Sequence, residues 1–109
     1  MKDSFLENWQ SQLKKGLLPV YVLDIISRKE CYGYELIQDI KENYGLDVAE
    51  GTLYPLLVRL MKDELLTYKW VEQASGIPRK YYTLSVFGKK CHEEMKSTIV
   101  ESITKISKP

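Results

Sequence analysis

A chain of 109 residues with 16 Lys and Arg against 15 Asp and Glu has a formal net charge of +1. That balance supplies no bulk attraction to a polyanion, so any nucleic-acid surface must arise from local clustering. The length suits one domain with a modest core that gains from a partner subunit, and the longest apolar run, Leu17 to Ile26, is broken by Pro19 and Asp24 well short of the roughly 20 residues that span a bilayer.

Met1-Lys2-Asp3-Ser4 opens directly into a polar amphipathic pattern, so no secretory leader is expected. Asp3 or Ser4 can cap a first helix carrying Phe5, Leu6, Trp9 and Leu13 on one stripe. Lys14-Lys15-Gly16 ends it, with lysines at the negative end of the dipole and glycine offering a left-handed cap. Leu17 to Arg28 is apolar on nearly every side and predicts a central buried helix. Pro19 falls in its first turn, where the missing N–H has no intrahelical partner to lose. Cys31 follows, and with Cys91 it makes neither a disulfide framework nor a zinc-ligand spacing. A cytoplasmic chain with reduced thiols, no metal and no other cofactor is expected.

Tyr32-Gly33-Tyr34-Glu35 opens a short helix with Leu36, Ile37 and Ile40 on one face and a stop at Tyr44-Gly45. The next helix starts near Gly51, with Leu53, Leu56, Leu57, Leu60 and Met61 as its core face. Two helices joined by a short glycine-containing turn make a helix-turn-helix, whose second helix presents its N-terminal half to the major groove. Gly51, Pro55, Val58, Arg59 and Lys62 gather opposite the leucines, with Thr52 and Tyr54 at the flanks. Thr52 can bond a phosphate or a base edge, Tyr54 can reach a phosphate, and Val58 can lie against a thymine methyl. Arg59 can meet phosphate or guanine, though it sits far down the helix for the second role. Pro55 allows two readings. Either the helix begins near Ala49 or Glu50 and the proline kinks it beside Gly51, or the helix starts later.

From Leu66 to Gln73 the period changes to two, Ala74 to Pro78 makes a turn, and Arg79 to Leu84 is a second strand. Lys69, Arg79 and Lys80 against Glu72 leave this hairpin locally basic. Ser85 stands at the N-cap of a last helix with a stripe of Phe87, Cys91, Met95, Ile99, Ile103 and Ile106. A helix-turn-helix followed at once by a basic hairpin is the winged arrangement.

These segments resemble the PadR family of bacterial transcriptional regulators, named for a repressor of phenolic acid decarboxylase. The matching blocks are Tyr32-Gly33-Tyr34-Glu35-Leu36, Gly51 to Leu57 with Arg59-Leu60, Leu65-Leu66, and Arg79 to Leu84 with Gly88-Lys89, in order and in register from about residue 17 to residue 90. The resemblance implies a dimeric winged-helix repressor on a palindromic operator, with the terminal helices building the dimer and, in many members, a small-molecule or stress signal. Carried onto this chain, Tyr34, Gly51, Thr52, Tyr54 and Pro55 form the groove-side group, and Arg79 and Lys80 the wing group. Three positions depart from the pattern. Glu64 replaces a usual glycine, which predicts strain at the corner; Ala49 replaces a usual serine cap unless Asp47 substitutes; and Val86-Phe87 adds apolar surface that suits dimer packing.

Several residues admit a second role. Tyr32, Tyr34, Tyr81 and Tyr82 suggest a stacking platform but suit core or phosphate-positioning duty better. Trp9 and Trp70 could sandwich a planar ligand, and packing is the simpler reading. His92, beside Glu93 and Glu94, is expected on a solvated face. Cys31 or Cys91 could sense redox state. No nucleophile–base pair, phosphate-binding glycine loop or carboxylate pair points to catalysis.

The expectation is therefore a mainly α (α+β) winged helix-turn-helix in one domain over residues 1–109. Residues 1–15 are the N-terminal dimerisation helix, 17–84 the winged core and 85–107 the C-terminal dimerisation helix. Phe5, Trp9, Leu13, Phe87, Met95, Ile99 and Ile103 are the dimerisation residues, because one short chain has too little else to cover them. The expected function is sequence-specific binding of double-stranded DNA by a dimeric repressor, released by a ligand or stress signal. Two alternatives are a winged-helix protein–protein interaction module, which the near-zero net charge favours, and a small-molecule-binding dimer with a secondary DNA role.

Overall fold

A computed structural model of the chain describes residues 2–109. Among them, five helices and one two-stranded antiparallel sheet run in the order α1 (Lys2–Gly16), α2 (Leu18–Arg28), α3 (Gly33–Tyr44), α4 (Glu50–Lys62), β1 (Leu66–Val71), β2 (Arg79–Leu84) and α5 (Val86–Ile106). Leu66 pairs with Leu84 and Val71 with Arg79, so residues 72–78 form the wing loop. This is the winged helix-turn-helix that the periodicities predict.

The core is built by α2, α3 and α4 around Val22, Leu23, Leu36, Ile40, Leu53 and Leu57, all fully buried, and is closed by Leu66 and Tyr82 from the sheet. Burying such side chains contributes on the order of 1.5–3 kcal/mol each. Pro19 sits in the first turn of α2, and Gly45 ends α3 with φ 67°, a left-handed stop that favours glycine.

The first helix differs from expectation at both ends. α1 already runs through Asp3 and Ser4, so neither caps it, although Asp3 in the first turn still complements the dipole. Gly16 stays helical, and the Leu17 N–H bonds back to the Leu13 carbonyl at 3.0 Å, so α1 and α2 meet across one residue without a left-handed cap.

The corner between α4 and β1 carries the strain that Glu64 predicts. Its φ of 66° is the one positive value outside glycine among the described residues. Ser85 locks this corner, its hydroxyl donating to the Glu64 carbonyl at 2.6 Å and accepting from the Gly88 N–H at 2.8 Å as the N-cap of α5. Gly88 lies so close to the Leu65 carbonyl that a Cβ would collide with backbone.

His92 corrects the expectation of a solvated face: it is buried against α2, with Nε2 3.6 Å from Asp24 Oδ1. The reason is helical drift. Each step of four advances about 40° around the axis, so a stripe from Phe87 through Cys91 to Ile103 winds across the helix. The face that meets the body holds Gly88, His92 and Met95 instead. Met95 therefore packs on its own core, whereas Ile103 and Ile106 lie beyond the body, exposed at 58% and 82%.

Candidate nucleic-acid interface

The outer face of α4 forms as its periodicity requires. Leu53, Leu57 and Leu60 are buried, while Gly51, Thr52, Tyr54, Pro55, Val58, Arg59 and Lys62 are exposed. Ala49 is the N-cap and offers no side-chain bond, and Asp47 pairs with Lys41 at 3.4 Å rather than substituting. The Thr52 and Leu53 N–H groups donate to the Ala49 carbonyl at 3.0 Å, and no side chain of the N-cap bonds the others of the first turn. Pro55 lies past that first turn, which settles its two readings: the helix does not start later. The Gly51 carbonyl consequently lacks its usual N–H donor four residues on.

Tyr54 is seated by a glycine. Its phenol lies so close over Gly33 that a Cβ there would stand 2.5 Å from the hydroxyl. This joins the start of α3 to the recognition face, with Tyr34 exposed beside it on the first turn of α3. The Tyr32 N–H donates to Glu35 Oε1 at 3.2 Å and fixes that turn.

The wing brings its cations to the same place. Arg79 stacks its guanidinium on the Tyr32 ring, 4.3 Å from the centroid, and Tyr32 meets Tyr81 edge-on. Lys80 places Nζ 4.0 Å from the Tyr68 ring. A cleft of about 400 Å³ between α4 and the wing is lined by Tyr32, Gly33, Tyr54, Val58, Arg79, Lys80 and Tyr82. A neighbouring groove on the other side of Val58 is lined by Met61, Lys62, Leu66, Thr67 and Tyr68.

Neither depression is lined by a carboxylate, whereas three others on the surface hold Asp24 and Glu93, Glu7 and Asp47, or Asp39. Among the described residues, no ion pair involves Arg59, Lys62, Arg79 or Lys80. A chain of net charge +1 thus places four cations without ion-pair partners, Arg59, Lys62, Arg79 and Lys80, on one helix and its wing. That is the local clustering a polyanion requires.

The structure brings Tyr54, Arg79 and Lys80 into one cleft. It leaves Tyr34, Gly51, Thr52, Pro55 and Arg59 on the surrounding exposed surface. Sequence reasoning assigned no role to Gly33 as the seat of Tyr54 or to Tyr32 as the holder of Arg79; a glycine set between two tyrosines was the available signal. Cys31 is buried, and burial pushes its thiol up to about 11, so almost no thiolate is present at neutral pH to sense oxidants. Cys91 is half-buried.

Comparisons agree with this geometry. The sequence profile of the Transcriptional regulator PadR-like family matches residues 22–94. An uncharacterized protein of Lysinibacillus sphaericus is 33% identical over 88 residues, which cover 79% of this chain and 81% of that protein. The solved structure of a PadR-like transcription factor from Bacteroides fragilis matches with TM-score 0.74 at 40% identity, covering 92% of this chain and 99% of that one. A PadR-like transcriptional regulator from Bacillus cereus matches with TM-score 0.78 at 36% identity, covering 87% and 92% of the two chains.

Proposed function

The chain belongs to the PadR-like family of transcriptional regulators, which are DNA-binding proteins and not enzymes, and we propose that it acts as a homodimeric repressor on a palindromic operator. In this reading α4 enters the major groove, with Gly51, Thr52, Tyr54 and Pro55 nearest the bases and Arg59 on the flanking phosphates. Tyr34 approaches the backbone from α3, and Arg79 and Lys80 hold it from the wing. The observation that carries the reading is an outward α4 flanked by two depressions whose linings hold Lys62, Arg79 and Lys80, none of them ion-paired, and no carboxylate.

The dimer rests on apolar surface that the chain itself leaves uncovered. Phe5, Leu6, Trp9 and Leu13 on α1 are 75%, 50%, 50% and 45% exposed, and Phe87, Val100 and Ile103 on α5 are more than half exposed. Two copies joined through these helices set their recognition helices roughly 34 Å apart, one duplex turn. A small molecule or stress signal that alters the angle between copies would break this spacing and release the promoter. No helix of the described residues is long and apolar enough to cross a membrane. The protein–protein module draws its support from the near-zero net charge, and the cations without ion-pair partners beside α4 favour the DNA reading over it. Among the described residues, none of the five depressions above is lined by Trp9 or Trp70.

The test is a gel shift with duplex from upstream of the chain's own gene and a shuffled duplex, at two salt concentrations. The chain should prefer its own upstream sequence and lose affinity steeply with salt. Arg79→Ala with Lys80→Ala should flatten the salt slope by about two units, near one for each phosphate no longer neutralised. Equal, weak binding of both duplexes at every salt would refute the repressor reading.

A further inference from the structure

The groove reading takes only Lys80 from one face of the wing and gives its aromatic residues, Tyr68 and Trp70, no role. On the side of Thr67, Lys69, Tyr81 and Thr83 the side chains turn to their own chain: Lys69 pairs with Glu30 at 2.9 Å, Thr67 bonds Thr83 at 2.6 Å, and the Tyr81 ring packs on Tyr32. On the other side Tyr68 and Trp70 meet edge-to-face at 6.2 Å and stay 48% and 62% exposed. Lys80, opposite Trp70 in the register, lies over both rings, 4.0 Å from Tyr68 and 5.9 Å from Trp70. This face continues the recognition surface, because Tyr68 lines the groove that holds Val58 and Lys62 of α4.

We infer that Tyr68, Trp70 and Lys80 form a second DNA-contacting surface, which grips the sugar–phosphate backbone at the edge of the groove and sets affinity without reading sequence. The inference rests on the reading that α4 enters the groove. Two exposed rings alone would suit a protein partner as well. The cations decide the matter: Lys62 and Lys80 flank the rings, neither has a carboxylate partner, and no carboxylate lines the groove. A polyanion with apolar deoxyribose between its charges matches alternating rings and ammonium groups. Stacking against the Tyr68 ring also restricts the Lys80 side chain before binding, which lowers the ordering cost. Rings pack against sugars whatever base they carry, so this surface adds equally to operator and random sequence.

The experiment uses the full chain with fluorescein-labelled duplex, own-upstream and shuffled, at low salt. Trp70→Ala should weaken both complexes about tenfold, with the ratio between them unchanged, while the melting temperature stays within a degree or two because the side chain is mostly exposed. Trp70→Phe should recover most of the affinity. Wild-type tryptophan emission should change on adding either duplex, and the change should vanish in Trp70→Phe. Unchanged duplex affinity in Trp70→Ala, or emission unmoved while the labelled duplex binds, would overturn the inference and leave the groove reading standing. A weakening confined to the own-upstream duplex would also overturn it, by making Trp70 a reader of sequence. Failure of the wild-type chain to bind any duplex would sink both readings together.

Discussion

Gly51 separates the needs of the fold from those of the ligand. A Cβ at Gly51 meets nothing within 4 Å of its own chain, so the folded chain alone gives no reason for a glycine in the exposed first turn of α4. Gly51→Ala should therefore raise stability by about 0.5–1 kcal/mol, the usual helix preference for alanine. It should also weaken operator binding at least tenfold, by holding the backbone off the duplex. Thermal melting and a binding titration on the same variant check both signs; unaltered affinity would remove Gly51 from the interface. The outward set of Thr52, Tyr54, Val58 and Arg59 was legible in the sequence, since it needs only the helical period. The seating of Tyr54 on Gly33 was not, because it joins residues from two elements and depends on a missing side chain rather than a present one.

Strain and titration at joints belong to the scale of elements. Glu64 turns the corner from α4 to β1 at φ 66°, a region that costs a residue with a Cβ on the order of 1 kcal/mol. Glu64→Gly should raise stability by up to about 1 kcal/mol, read as the midpoint of urea unfolding, and a fall would mean that glycine's entropy in the unfolded chain outweighs the strain. At the joint of α2 with α5, burial first and then the nearby Lys96 lower the His92 pKa, against the opposing pull of Asp24. Asp24 itself is held by Arg28 at 3.1 Å and by the Tyr44 hydroxyl. A histidine depressed in the folded state binds protons better when unfolded. Its contribution is therefore full above the ordinary pKa of about 6.5 and is lost as pH falls below it. The melting temperature should drop between pH 7 and pH 5, and His92→Gln should remove part of that drop; an identical pH slope in the variant would show that another group governs it. The inward position of His92 escaped the sequence because steps of four look like one stripe over two turns yet drift across a helix of 21 residues. The wing, by contrast, was legible because its period of two survives both its bounding turns.

At the scale of the whole molecule, the chain is extended, 56 × 33 × 21 Å, with a radius of gyration of 15.9 Å, where a compact chain of this length has about 13 Å. Among the described residues, α1 and the distal part of α5 leave much of their apolar surface exposed. Ile103→Asp with Ile106→Asp alters side chains beyond the core, so the body should fold while sedimentation shifts from dimer to monomer and operator affinity collapses. An unshifted dimer would move the interface elsewhere. The pairing itself is not written in one chain's periodicity; only the uncovered stripes are. The most direct measurement of the central claim is a hydroxyl-radical footprint of the full chain on the DNA upstream of its own gene. Two symmetric protected patches, centred about 10 base pairs apart along the duplex, are the predicted result. A single patch, or protection spread evenly along the fragment, would contradict a dimer that places two α4 helices in successive major grooves.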